Sequence, residues 1–273
     1  MSEASGAAQA LTHILKGFET VAVAVSGGVD STTLAALAHR AIGERATMMH
    51  AVSPAVPPEA TRRVRDLAAA EGWRLHVLDA GEFADPRYRA NPADRCFYCK
   101  TNLYAGIAAA TRAQILSGTN RDDLSDWRPG LKAAADHGVR HPYVEAGIDK
   151  AGVRALARDL GLGDVAELPA SPCLSSRVET GIAIDPADLA LVHAVETLLA
   201  ARLGTSATLR CRVRRAGLVV ELDATTLAGL DEAQRAGLAT AIAALPGGDR
   251  PLAFAAYRMG SAFLRRATET AHV

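Results

Sequence analysis

Apolar positions along the chain switch repeatedly between a period of two and a period near 3.6. Residues 20–25 (TVAVAV) form a compact β-branched run, and residues 31–42 (STTLAALAHRAI) follow with helical spacing. A second strand is predicted over 46–53 (ATMMHAVS), a helix near 58–71, a third strand over 74–80 (RLHVLDA), and a fourth in 114–118 (QILSG) that enters a glycine turn. Residues 149–161 (DKAGVRALARDLG) read as an amphipathic helix opened by an aspartate. Strands alternating with helices imply an α/β fold with a parallel, doubly wound sheet. After about residue 183 the order changes. A long helix entered through Asp-Pro is predicted over 185–204, then strands over 206–214 and 217–223 split at Ala216-Gly217, one helix over 224–245, and a strand over 251–258. This tail predicts a small C-terminal α+β domain, dividing the chain into residues 1–183 and 184–273. Residues 265–273 show no period and are expected to fray.

Composition narrows the class. At 273 residues, 49% hydrophobic and 22% charged, the chain has material for a real core. Lys and Arg number 30, Asp and Glu 30, so the formal net charge is zero. That argues against a general polyanion binder, although a local basic patch remains compatible with it. The N-terminal stretch carries acids and no long apolar core, unlike a secretory signal. No apolar run reaches the roughly 18 residues of a membrane span, and a soluble, cytoplasmic protein is expected. The cysteines are Cys96, Cys99, Cys173 and Cys211. In a reducing compartment a Cys-x-x-Cys pair points to metal binding or catalysis rather than a structural disulfide.

The sharpest chemical signal is 21-VAVAVSGGVDSTTLAAL-37, a buried strand running through Ser-Gly-Gly into a helix. Gly27 and Gly28 permit a tight turn with backbone N–H groups close to an anion, Ser26 and Ser31 add hydroxyls, and the helix N-terminus adds a positive dipole. Neither GxxxxGK[ST] nor GxGxxG is present. A bare Ser-Gly-Gly fits an ordinary strand–turn–helix corner equally well, but the full SGGVDST resembles the PP-loop of ATP pyrophosphatases. That resemblance assigns Ser26, Gly27, Gly28, Asp30 and Ser31 to the pyrophosphate portion of ATP, with Asp30 acting through Mg²⁺.

Three further stretches follow in order: 91-NPADRCFYCKTNLY-104, 118-GTNRDDLSDWRPGLKAAADHGVRHPYVEAG-147 and 169-PASPCLSSRVETG-181. Together with SGGVDS they resemble the LarE family of ATP-dependent sulfur transferases, and the likeness continues more weakly at 212-RVR-214 and 257-YRMGS-261. The resemblance implies a PP-loop domain and an enzyme that adenylates the carboxylates of pyridinium-3,5-biscarboxylic acid mononucleotide. It then converts them to thiocarboxylates for the nickel-pincer nucleotide, the cofactor of lactate racemase. Adenylation makes sense because a carboxylate is a poor acceptor and AMP a good leaving group.

Members of the family divide by cysteine content. Some carry only the cysteine of the PCLxSR motif and surrender its sulfur, leaving dehydroalanine. Others carry three cysteines resembling a 4Fe–4S site with one iron open to an extra sulfide. With Cys96, Cys99 and Cys173 this sequence resembles the second branch. The residues alone leave open a zinc half-site, a redox-active pair, buried thiols, or sacrifice of Cys173. Cys211 lies in an alternating strand pattern and matches no motif, which fits buried packing.

By the same resemblance Ser176 and Arg177 face the acyl acceptor, where a bidentate arginine suits a carboxylate or phosphate; a surface arginine capping a helix is the plain alternative. Ser53, Gly118, Thr119 and Arg128 join the nucleotide set, Gly118 and Thr119 at the carboxyl end of a strand where open α/β sheets bind ligands. Asp122, Asp123 and Asp126 fit either Mg²⁺ support or a solvated acidic turn, and Lys132 is a further phosphate candidate. Arg212, Arg214 and Arg258 are assigned to the substrate phosphate or an anion at a subunit interface, although an exposed strand face explains the first two as well. The sequence departs from the family at Gly260-Ser261-Ala262-Phe263. Expected partners are a small-molecule nucleotide substrate and further copies of the chain in a symmetric homo-oligomer, with neither nucleic acid nor membrane. The competing readings are a PP-loop tRNA thiolase, an ammonia-using amidation enzyme, and a non-enzymatic nucleotide sensor or iron–sulfur carrier. Zero net charge and 4% aromatic residues speak against the tRNA thiolase, and ammonia chemistry gives no reason for the three cysteines.

Overall fold

The structure, a computed structural model, describes residues 3–125, 127–170, 172–204 and 208–264. Asp126, the start of the strand predicted from 206, and the tail 265–273 lie outside these. In chain order the elements are α1 (Glu3–Lys16), β1 (Val21–Ala24), α2 (Val29–Ile42), β2 (Ala46–Ala51), α3 (Pro58–Glu71), β3 (Arg74–Leu78), α4 (Pro86–Arg89), α5 (Arg95–Ala110) and β4 (Gln114–Leu116). Then follow α6 (Pro129–Asp136), α7 (Pro142–Glu145), α8 (Lys150–Asp159), α9 (Gly163–Ala166), α10 (Pro186–Leu203), β5 (Leu209–Arg214), β6 (Gly217–Leu222), α11 (Ala224–Gly229), α12 (Glu232–Ala243) and β7 (Leu252–Ala256). Packing divides them into two units, Met1–Asp85 with Cys96–Ser171, and Pro86–Arg95 with Pro172–Val273.

The first unit is an α/β layer structure around a parallel sheet of order β3-β2-β1-β4. Strand periodicity sends alternate residues to opposite faces. Val21, Val23 and Met48 join a core with Leu11 and Leu15 of α1, Leu34 of α2, Val64 of α3 and Leu156 of α8. Ala22, Met49 and Ile115 join a second core with Tyr104 and Ile107 of α5 and Ala133 and Ala134 of α6. Covering both faces requires near-continuous apolar strands, which is what TVAVAV supplies. Each fully buried Val, Leu or Met contributes about 1.5–3 kcal/mol. Helix ends follow local chemistry: Pro58 opens α3 at its first position, Gly72 closes it at φ 69°, and Asp149 caps α8 by accepting from Gly152 N–H at 2.8 Å.

The second unit has a three-stranded sheet in which β5 and β6 form an antiparallel hairpin and β7 lies parallel to β6. Helix α10, capped by Asp185, buries Leu189, Val192, Val195 and Leu199 along one face and packs on β5. The single helix predicted over 224–245 is corrected to two. Leu230 is extended (φ −85°, ψ 117°), and Asp231 starts α12 afresh through a capping box with Gln234. An Asp-x-x-Gln pair inside an apolar-periodic run is a helix start that periodicity alone overlooks. No helix among the described residues is long and apolar enough to cross a membrane.

Candidate active site

The loop after β1 is shaped by contacts only glycine allows. Gly27 has φ 83°, and a Cβ there would lie 2.8 Å from the Ala60 carbonyl oxygen. Arg63 Nη1 donates to the Gly27 carbonyl at 2.8 Å. Ser31 Oγ accepts from Ser26 N–H at 3.0 Å and donates to the Gly28 carbonyl at 3.3 Å. Its one proton is thereby used, so at the 3.1 Å contact between the two hydroxyls Ser26 is the donor. Gly28, the N-cap of α2, offers no side-chain cap. The first N–H groups of α2 are therefore presented from a prearranged turn with the positive end of the helix dipole behind them, an arrangement suited to phosphate.

Strand β4 delivers a second layer. A Cβ on Gly118 would sit 2.8 Å from both Asp30 C and Ser31 N, so only a glycine lets these backbones meet. Asn120 caps the turn Arg121–Leu124, its N–H bonding Asp123 Oδ2 and its Oδ1 accepting from Asp122 N–H, both at 3.0 Å. Its Nδ2 donates to Asp30 Oδ1 at 3.2 Å. Lys150 Nζ meets Asp30 Oδ2 at 2.5 Å, and Tyr143 donates its hydroxyl to the Asp30 carbonyl at 3.0 Å. Burial, helped by the Asp30 charge, pushes the Tyr143 hydroxyl well above the usual phenol range, so it stays a proton donor. Thr119 Oγ1 is 3.0 Å from Ser117 Oγ, which is 2.8 Å from His141 Nδ1. Burial lowers the His141 pKa, partly offset by Glu145 and Asp123. Arg128 pairs with Asp123 at 2.7 Å and Lys132 with Asp136 at 3.0 Å. Ser53 Oγ accepts from Ala55 N–H at 3.3 Å in the turn beyond β2.

Lys150 escaped the sequence reading, although a signal was there. A lysine in the first turn of a helix opposes the dipole and is tolerated best beside an anion, and Lys150 is the first residue of α8.

In the second unit Cys173 is exposed and leads into the turn Leu174–Arg177. Arg177, 4% exposed, closes this loop on itself. Its Nη1 donates to the carbonyls of Pro172 (2.6 Å) and Cys173 (3.2 Å) and to Ser176 Oγ (3.0 Å), while Nε and Nη2 grip both oxygens of Glu196 at 3.0 Å. Glu196 also accepts from Cys211 N–H at 3.0 Å. Burial, with Glu196 adding to it, pushes the Cys211 thiol up to about 12, so it remains protonated. Arg212 bonds Glu221 at 2.9 Å and the Ser176 carbonyl at 3.2 Å. Arg214 reaches Glu179, Glu221 and Ser261. Arg258 is exposed in the turn after β7.

Cys96 and Cys99 are half-buried near the start of α5, three residues apart and so on one helical face. Thiolates are the donor type that iron–sulfur clusters take; Cys96 and Cys99 belong to the first unit and Cys173 to the second. Among the described residues no group of three His, Cys, Asp or Glu is gathered for a metal ion.

No family profile matches the chain. It is 39% identical over 186 residues to an uncharacterized protein of Synechocystis sp., covering 67% of this chain and 69% of that one. It is 34% identical over 194 residues to the pyridinium-3,5-bisthiocarboxylic acid mononucleotide synthase of Lactiplantibacillus plantarum, covering 69% and 70%. The chain belongs to the LarE family of ATP-dependent sulfur transferases. A further likeness, 31% over 170 residues to the NH₃-dependent NAD⁺ synthetase of Pyrobaculum aerophilum (58% and 62% covered), agrees with the PP-loop sheet of this LarE-family chain. Of the residues singled out by the LarE resemblance, Ser26, Gly27, Gly28, Asp30, Ser31, Gly118 and Thr119 lie beyond the carboxyl ends of β1 and β4, with Ser53 beyond β2. Cys173, Ser176, Arg177, Arg212 and Arg214 gather in the second unit, where the three arginines have carboxylate partners.

Proposed function

We propose that the protein carries out the conversion named for its Lactiplantibacillus relative, on pyridinium-3,5-biscarboxylic acid mononucleotide and for the nickel-pincer nucleotide cofactor. The observation that carries this reading is the prearranged loop Ser26–Ser31 with Asp30 and Lys150 at its mouth. Backbone N–H groups, Ser26 and Ser31 hold the pyrophosphate portion of ATP, Lys150 adds a cation, and Asp30 is the carboxylate for Mg²⁺. A substrate carboxylate oxygen attacks the α-phosphorus and pyrophosphate leaves. A sulfur nucleophile then attacks the acyl carbon, AMP departs with the acyl oxygen, and a thiocarboxylate remains. Residues 1–183 form the PP-loop domain that contains the nucleotide site and 184–273 a C-terminal α+β domain of the enzyme, which acts in the cytoplasm as a homo-oligomer.

Cys96, Cys99 and Cys173 would hold a 4Fe–4S cluster, the three-cysteine form of the family, and when bound it supplies an open iron for an extra sulfide. Arg177 and Ser176 hold the loop at Cys173. Arg128, Arg212, Arg214 and exposed Arg258 are the remaining anion-binding candidates. The exposure of Cys173 favours a second reading: its own thiolate attacks the acyl-adenylate to give a thioester. Loss of the Cα proton and cleavage of the Cβ–S bond then release the thiocarboxylate and leave dehydroalanine.

Protein purified without oxygen should release pyrophosphate in the presence of the biscarboxylate mononucleotide and give the mass change of an oxygen-to-sulfur exchange. Pyrophosphate release that ignores the carboxylate substrate would sink the proposal. About four iron and four labile sulfide per chain, lost in Cys96→Ala, identify the cluster route. Iron-free protein that thiolates once while Cys173 loses the mass of hydrogen sulfide identifies the second.

A further inference from the structure

The segment Pro86–Arg95 packs in the second unit, along the stretch that follows Cys173. Tyr88, 2% exposed, sets its hydroxyl 2.6 Å from Ser175 Oγ. The Arg89 carbonyl accepts from Ile184 N–H and the Asn91 carbonyl from Gly181 N–H, both at 2.9 Å. Asn91 is fully buried. Its Nδ2 donates to the carbonyls of Ile182 (2.8 Å) and Glu179 (2.9 Å), with that of Val178 at 3.4 Å, and its Oδ1 accepts from Arg95 Nη1 at 2.6 Å. Arg95 is itself buried, its guanidinium 3.9 Å from the centre of the Phe263 ring.

Asn91 also has φ 54°, and among the described residues it is the one non-glycine with positive φ. Asparagine tolerates that conformation better than most side chains, yet such outliers persist only where the surroundings hold them, and they cluster at functional sites. Here the surroundings are the carbonyls just beyond the Cys173 loop. Arg177 gathers the front of that loop through the Pro172 and Cys173 carbonyls. The strap holds it at Ser175 and from Val178 to Ile184.

We propose that Asn91 and Tyr88 are positioning residues for sulfur transfer. By fixing the stretch from Ser175 to Ile184 they set where the Cys173 sulfur is presented, and they take no part in nucleotide activation, whose residues belong to the first unit. The inference rests on the reading of Cys173 as a sulfur-handling residue, whether as cluster ligand or as donor.

The test uses full-length Asn91→Gly and Tyr88→Phe. The first keeps the left-handed backbone and deletes the amide; the second deletes one hydroxyl. Three quantities are measured on each: pyrophosphate release with the carboxylate substrate, thiocarboxylate formed, and the rate at which iodoacetamide alkylates Cys173, read by peptide mass. Pyrophosphate release should stay within about twofold of the unmodified protein, while thiocarboxylate formation falls about tenfold or more in Asn91→Gly and severalfold in Tyr88→Phe. The alkylation rate of Cys173 should shift about threefold or more in both. An unchanged ratio of thiocarboxylate to pyrophosphate overturns the inference, because a merely structural role lowers both together. If Asn91→Gly does not fold, Tyr88→Phe decides alone. If the unmodified protein thiolates nothing, the proposed function fails instead, and unchanged Cys173 alkylation in both variants still overturns the positioning role.

Discussion

His50 shows how one buried side chain makes stability depend on pH. It is fully buried, with Nδ1 2.8 Å from the Val25 carbonyl and Nε2 2.9 Å from Thr61 Oγ1. A carbonyl only accepts, so Nδ1 carries the proton and Nε2 accepts from the Thr61 hydroxyl. Burial lowers its pKa, opposed by the Val25 bond and aided by Arg65. The unfolded state therefore binds the proton more readily, and stability present above the ordinary histidine value of about 6.5 is lost as pH falls below it. The urea midpoint should drop between about pH 7.5 and 5.5, and less steeply in His50→Gln. His141, also lowered by burial, adds in the same direction. Arg177 makes the second prediction at this scale. Glu196→Gln removes the carboxylate charge that faces its buried guanidinium and should cost about 3 kcal/mol in urea unfolding. The sequence points to Arg177, Arg212 and Arg214 because arginine suits anions. It does not reveal that Glu196, Glu221 and Glu179 meet them, since those pairings are set by β5 register and α10 docking, and local spacing carries no trace of either.

Among the elements, β4 has the narrowest tolerance. It is only three residues long, and the glycine two residues beyond it touches the backbone at the start of α2. Gly118→Ala would push the Asp30–Ser31 peptide away from the end of β4, and ATP affinity by calorimetry should weaken by about tenfold or more while the sheet persists. The strands of this sheet are legible because a buried parallel strand is rich in apolar residues: β1 is wholly apolar, β2 carries Met48-Met49 and β4 carries Ile115-Leu116. Helix starts are legible where a side chain caps them, as at Asp149 and Asp185. The break between α11 and α12 is hidden because Leu230 continues the apolar pattern while its backbone leaves the helix. The role of Pro86–Arg95 is hidden too: Asn91-Pro92 reads as a turn, and nothing local says which unit the turn packs against.

At the scale of the whole molecule, charge balance dominates behaviour in solution. With Lys plus Arg equal to Asp plus Glu at 30 each, little net repulsion opposes association near neutrality. Solubility followed by light scattering should pass through a minimum near pH 7 and rise on either side. The division into units has a consequence of a different kind. The strap Pro86–Arg95 interrupts the first unit, yet Tyr88 meets Ser175, and Asn91 the carbonyls of Val178, Glu179 and Ile182, about 90 residues further on. During synthesis the ribosome delivers the strap long before the carbonyls that Asn91 will bind. At ordinary elongation rates the interval is on the order of ten seconds. Throughout it the parallel sheet is free to form around a looped-out segment whose arginine and asparagine are still hydrated. The nascent chain is thus asked to hold one segment in reserve, and the loop bearing Cys173 acquires its shape only after every strand of the parallel sheet has been made.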